Sequence, residues 1–256
     1  MGRRVDITDG RTDRTKAAPL IVAMHGFLGT SRSMRKKAGF DALAKKHGFI
    51  VAYPNGKKRR WNDGRSASAG VDDVGYLVDF ITALVRDGRV DPAKVFLAGH
   101  SNGGGMAMRF ACDRPDLIAG IAVIATKIPT AYQCRQGRPV PAIFFHGTLD
   151  PIAPHEGRPQ GSRLGATLSA ADTLRVWASR NRCEGIARTQ TIDRRNDGTS
   201  ADLIAYAGCR AALWQVLIDG HGHDWPGNGR GATRLQGPAT KEVAAGQLSW
   251  RFFDRL

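Results

Sequence analysis

The sequence predicts a single α/β domain, with a mostly parallel sheet covered by helices on both faces. Short β-rich apolar runs alternate with helical patterns along the chain, which is the signature of strands joined by covering helices. No long linker, repeat or low-complexity stretch interrupts that alternation. The length, 256 residues with 42% hydrophobic content, is enough for one full core.

The elements follow in order. Residues 1–16 are polar and charged, a candidate edge strand ahead of the main domain at 17–256. Leu20–Met24 is the first core strand and ends at His25-Gly26. Met34–His47 has helical spacing. Phe49–Tyr53 is a strand stopped by Pro54-Asn55-Gly56. Asp72–Val85 is amphipathic, with Val74, Leu77, Val78, Ile81, Leu84 and Val85 on one face and carboxylates at its start, where they suit the helix dipole. Val95–Ala98 is a strand, and Met106–Cys112 reads as helix. Ile118–Ile124 and Ala142–Phe145 are strands, Ser169–Arg180 a helix, Ala211–Ile218 a strand and Lys241–Phe253 a closing helix. Gly157–Leu168 and Gly227–Gly237 are loops, the first expected near the site.

Thirty-eight Lys and Arg stand against 23 Asp and Glu, with clusters at Arg35-Lys36-Lys37 and Lys57-Lys58-Arg59-Arg60. No nucleic-acid module accompanies them, so a solvated basic surface is the favoured reading and nucleic acid is not an expected partner. No apolar run approaches the length of a membrane span, and the first residues lack the apolar core of a signal peptide. Cys112, Cys134, Cys183 and Cys209 form no metal-type spacing. Their spacing is compatible with two medium-range disulfides and equally with four thiols.

Chemistry is sought where such sheets place it, on loops beyond the carboxyl ends of strands. Val95–Ala98 leads into Gly99-His100-Ser101-Asn102-Gly103, a Gly-x-Ser-x-Gly turn between strand and helix. That turn lifts a serine hydroxyl off the sheet edge. The motif alone is weak, and its setting decides. Ala142–Phe145 leads to Asp150, and Ala211–Ile218 leads to His221 and His223. Ser, then Asp, then His is the chain order of an α/β-hydrolase triad. Ser101 is the candidate nucleophile. Asp150 is favoured as the acid over Asp172 and Asp219, while spacing leaves His221 and His223 open as the base. The Asn102 N–H and a donor in the first loop, Phe27 N–H with Leu28 beside it, are the candidate oxyanion donors. His25 and His146 read as histidines packed at strand ends. Leu28, Trp61 and Trp225 are substrate-pocket candidates. No metal or organic cofactor is expected.

The residues resemble the poly(3-hydroxybutyrate) depolymerase-like and feruloyl esterase family of α/β-hydrolases. The resemblance rests on Val71-Asp72-Asp73-Val74-Gly75-Tyr76, on the turn at Ser101, on Arg114-Pro115-Asp116, and above all on His146-Gly147-Thr148-Leu149-Asp150-Pro151 and Gly222-His223-Asp224-Trp225-Pro226-Gly227. It implies His223 as base and Asp150 as acid. It also implies bridges Cys183–Cys209 and Cys112–Cys134, and a secreted or periplasmic protein, with the cytoplasm as the alternative. The implied activity is a serine carboxylic ester hydrolase acting through an acyl-enzyme on hydroxycinnamate esters or short hydroxyalkanoate oligomers. Alternatives are an acetylxylan esterase, an amidase or peptidase of the same fold, and a catalytically silent binding protein. The first loop, His25-Gly26-Phe27-Leu28-Gly29, and His221 depart from the family pattern. With no further binding domain after the catalytic one, small or oligomeric esters are expected as substrate rather than crystalline polymer. Oligomeric state is left open.

Overall fold

A computed structural model describes residues 3–65, 70–134, 137–227 and 234–256. The expected loop at 227–237 therefore lies largely outside the described residues, as do residues 1 and 2. In chain order the elements are β1 (Val5–Asp9), β2 (Ala18–Met24), α1 (Ser31–Ala38), α2 (Phe40–His47), β3 (Ile50–Pro54), α3 (Asp73–Arg86), β4 (Val90–His100) and α4 (Asn102–Asp113). They continue as β5 (Gly120–Ile124), β6 (Ala142–Gly147), α5 (Ala170–Arg180), β7 (Gly185–Ile192), β8 (Ser200–Ala207), β9 (Leu213–Asp219) and α6 (Ala245–Phe253).

The strands form one sheet in the order β1-β3-β2-β4-β5-β6-β9-β8-β7. The six strands from β3 to β9 are mutually parallel. At one edge β1 pairs antiparallel with β3; at the other, β8 pairs antiparallel with β9, and β7 antiparallel with β8. This is a single-domain α/β-hydrolase fold. Strand period places alternate side chains on opposite faces. In β2, Leu20, Val22 and Met24 enter one core with Leu77 and Ile81 of α3, Met106 and Phe110 of α4, and Trp177 of α5. Ile21 and Ala23 enter the other with Met34 of α1, Phe40 of α2, and Trp250 and Phe253 of α6.

Three expectations change. The helical stretch 34–47 is two helices, because Gly39 adopts φ 71° and serves as the end of α1 and the start of α2. A left-handed residue cannot continue a helix, and glycine takes that conformation without a Cβ clash. The closing helix begins at Ala245, not Lys241. The hairpin β7–β8 has no counterpart in the sequence reading. β7 is exposed along nearly its whole length, so it lacks the apolar pattern that marks a strand.

All four cysteines are bridged, Cys112 to Cys134 and Cys183 to Cys209. The first ties the end of α4 to the segment before β6; the second ties the end of α5 to the turn after β8. No helix among the described residues is long and apolar enough to cross a membrane.

Candidate active site

The site is built at the carboxyl ends of β4, β6 and β9. β4 runs into α4 through Ser101, whose φ of 53° and ψ of −120° lie outside the ordinary regions for an L-residue. The turn closes because its glycines have no side chain. A Cβ on Gly99 would stand 2.2 Å from the Gly103 backbone, and one on Gly103 would stand 2.3 Å from the Met24 carbonyl oxygen. The Ser101 N–H is fixed on the Ile124 carbonyl at 2.7 Å. Leu28 and Ala125, just beyond β2 and β5, also have positive φ, so backbone strain gathers around this edge of the sheet.

His223 connects two of the loops. Its Nδ1 lies 2.7 Å from Asp150 Oδ2 and its Nε2 lies 2.9 Å from Ser101 Oγ. A carboxylate only accepts, so Nδ1 carries the proton toward Asp150 and the Nε2 lone pair faces the serine hydroxyl. The other Asp150 oxygen accepts the Ile152 N–H at 2.9 Å and the Ala153 N–H at 2.6 Å. Burial by itself would raise the Asp150 carboxyl. The hydrogen bond and charge of His223, with the Ala153 N–H, outweigh burial and hold it below its usual value.

The remaining histidines are occupied elsewhere. The Thr240 N–H donates to His221 Nδ1 at 3.0 Å, so Nε2 carries the proton that His221 gives to the Asp224 carbonyl, 3.1 Å away. His25 accepts the Gly56 N–H at Nε2 and donates from Nδ1 to the Gly26 carbonyl. His146 Nε2 lies 3.0 Å from the Ala153 carbonyl, and burial pushes its pKa down to about 3. Burial likewise lowers His25 and His221. Of the other carboxylates considered, Asp172 accepts from Ser169 at the start of α5, and Asp219 accepts from Thr148.

Two supports have no role in the sequence reading. His100 Nε2 donates to the His223 carbonyl at 2.9 Å, and the His223 N–H donates to the Gln236 carbonyl at 2.6 Å, fixing the histidine's backbone from two sides. Lys127 is buried, and its Nζ donates to the carbonyls of Ala153, at 2.8 Å, and Pro154. Burial lowers the Lys127 pKa to about 8, against the pull of Asp150. The signals were a histidine inside the Gly-x-Ser-x-Gly motif and a lone cation three residues beyond the apolar strand that ends at Ile124.

The loop after β2 abuts the elbow. A Cβ on Gly26 would lie 3.3 Å from Ser101 Cβ. The Leu28 N–H is committed to the Arg59 carbonyl at 2.9 Å. The N–H groups of Phe27 and Asn102 have no hydrogen-bond partner among the described residues. The Asn102 side chain holds the segment at 61–63: it accepts the Trp61 N–H at 2.7 Å and donates to the Trp61 carbonyl and to Asp63, both at 2.9 Å.

Of the three pocket candidates only Leu28 is exposed. Trp61 is wholly buried in the α3–α4 core, and its indole N–H donates to the His25 carbonyl at 3.0 Å. Trp225 packs edge-on against Phe40 in the opposite core, and Lys37 pairs at 2.8 Å with the neighbouring Asp224. Both tryptophans therefore brace loops of the site. The indoles lie in irregular segments, so the sequence offered no period that would mark them as core.

Comparison with known proteins fits this architecture. A family model described as esterase PHB depolymerase matches residues 12–131, a stretch that holds Ser101 but neither Asp150 nor His223. A putative esterase, NocK, of Nocardia uniformis subsp. tsuyamanensis is 27% identical over 241 residues, covering 88% of this chain and 70% of the relative. Feruloyl esterase B of Piromyces equi is 29% identical over 222 residues, 81% of this chain and 40% of the relative. A poly(3-hydroxybutyrate) depolymerase of Ralstonia pickettii is 30% identical over 124 residues, 43% of this chain and a quarter of the relative (25%). The chain thus spans less than half the length of the last two. An acetyl xylan esterase structure from Aspergillus awamori superposes with a TM-score of 0.68 at 16% identity, over 98% of this chain and 94% of that one. The chain has the α/β-hydrolase fold and is similar in sequence to proteins of the esterase and depolymerase families.

Proposed function

We propose that the chain is a serine carboxylic ester hydrolase, with Ser101 as nucleophile, His223 as base and Asp150 as acid. The observation that carries this reading is the continuous hydrogen-bonded chain from Asp150 through His223 to a serine on a strained strand-to-helix turn. Ser101 Oγ attacks the ester carbonyl carbon as His223 Nε2 takes its proton. Asp150 holds the imidazole in the required tautomer and stabilises the imidazolium. Negative charge gathers on the carbonyl oxygen, and the Phe27 and Asn102 N–H groups supply donors for it. The tetrahedral species expels the alcohol, which leaves with the proton from Nε2. Water, deprotonated by the same imidazole, then releases the acid from the acyl-enzyme.

The named relatives support ester substrates, hydroxycinnamate esters or short hydroxyalkanoate oligomers, and the acetylxylan reading stays within the same chemistry. Ser101→Ala is expected to lower turnover of a short-chain nitrophenyl ester by about 10⁴-fold or more. A variant with wild-type turnover would remove Ser101 from the mechanism. A panel of methyl ferulate, acetylated xylan and hydroxybutyrate oligomers ranks the acyl groups.

A further inference from the structure

Beyond the acid loop the chain makes a small ladder. Arg158 and Thr167 form an antiparallel pair and exchange both backbone hydrogen bonds at 3.1 Å; Thr167 also bridges to Pro129. Directly opposed residues of such a pair project their side chains to the same face. Both side chains carry a polar atom that is buried and without a hydrogen-bond partner, Nε of Arg158 and Oγ1 of Thr167. Thr167 as a whole is 6% exposed. No carboxylate among the described residues forms an ion pair with Arg158. A buried guanidinium Nε–H and a buried hydroxyl, both unsatisfied on one face of the pair, carry a cost that a ligand would relieve.

The ladder stands beside the proposed catalytic groups. Gly157 donates to the carbonyl of Pro154, the residue that Lys127 clamps, and Leu168 donates to the carbonyl of Ile128 next to Lys127. The Arg158 charge interacts with Asp150 and with Asp63, the carboxylate beneath Asn102. Burial is the main influence lowering the Arg158 pKa, then repulsion by Arg65, with the two aspartates acting against them. Those two carboxylates are already engaged, by His223 and by Arg65. Their negative charge limits the group held at this point to a single charge, as one carboxylate of a ligand carries.

We propose that Arg158 and Thr167 form a subsite for a carboxylate carried by the substrate, so that the enzyme selects esters whose acyl or alcohol part ends in a free carboxylate. Arg158 supplies charge-assisted N–H donors and Thr167 an O–H donor. The inference deepens the esterase reading and rests on it for the ester alone.

The test compares matched esters, the monomethyl ester of glutaric acid and its neutral dimethyl ester, together with binding of glutarate itself. Wild type should favour the half-ester in kcat/KM by about 10- to 100-fold, the range of a charge-assisted hydrogen bond. Added salt should shrink the preference. Arg158→Gln and Thr167→Val should each bring the ratio toward one, and Arg158→Lys should restore part of it. A purely structural role would lower both esters together and leave the ratio unmoved. Glutarate should raise the thermal midpoint of the wild-type chain and not that of Arg158→Gln. Hydrolysis of both esters at equal efficiency, with no effect of glutarate, overturns the subsite and leaves the esterase reading intact. Stabilisation by glutarate without turnover of either ester or of a short-chain nitrophenyl ester supports the subsite and overturns the esterase reading. No effect of glutarate together with no turnover of any of the three esters overturns both.

Discussion

Gly103→Ala tests whether the elbow and the proposed oxyanion loop are one mechanical unit. The added methyl would stand 2.3 Å from the Met24 carbonyl oxygen and 2.6 Å from that of His25. Both atoms are backbone, so no side chain can swing away. Restoring an ordinary contact requires the end of β2 to retreat from α4 by about 1 Å, and Gly26 and Phe27 are the next residues along. Overpacking of this kind costs about 3 kcal/mol at the upper end of its usual range. Replacing glycine by alanine inside a helix returns about 1 kcal/mol. The expected net loss is about 2 kcal/mol, or roughly 4–8 °C in Tm for a chain of this size. A displacement of about 1 Å in a donor loop is expected to lower kcat/KM on a nitrophenyl ester by about 100-fold. Gly185→Ala is the control, since a Cβ there meets nothing within 4 Å and the residue has no positive φ. Urea denaturation followed by circular dichroism, with turnover on the same samples, reads both effects. Wild-type stability and turnover in Gly103→Ala would refute the coupling.

Two further outcomes concern stability. His146 is buried with its pKa lowered to about 3, against an unfolded value near 6.5. Between those values the unfolded chain binds the proton and the folded chain does not, so stability falls as pH drops from 6.5 toward 3, by about 1.4 kcal/mol per pH unit for this residue. His146→Gln should flatten the acid limb of a stability–pH curve by that slope, and an unchanged slope would show that His146 does not titrate on unfolding. The bridges close chain separations of 22 and 26 residues, for which loop-closure entropy gives about 3 kcal/mol each. Replacing either cysteine pair by serine should lower the free energy of unfolding by about that amount, and a loss below about 1 kcal/mol would indicate compensation by strain in the folded state.

The sequence alone was sufficient for the parallel core of the sheet, because β2 to β6 and β9 are apolar runs of strand length, most of them separated by helical periods. It also brought Ser101, Asp150 and His223 to notice, since each follows such a run. The edge strand β7 escaped because an exposed strand is not bound to an apolar pattern, and the half-buried β8 beside it was missed with it; the break at Gly39 escaped because helix-forming residues continue on both sides of it. The choice between His221 and His223 could not come from spacing, as both stand in one loop; the family resemblance pointed to His223. Tertiary contacts showed where each goes: the Asp224 carbonyl and the Thr240 N–H occupy both nitrogens of His221, while His223 lies between Asp150 and Ser101. The same holds for the oxyanion donors. Phe27 and Leu28 are adjacent in sequence, and only the hydrogen bond from Leu28 to Arg59 shows which N–H is already committed. The two tryptophans stand in loops by sequence and in the cores by structure. A local pattern records which surfaces must be buried, whereas a free donor or an unpaired cation such as Arg158 depends on what distant segments bring to its side.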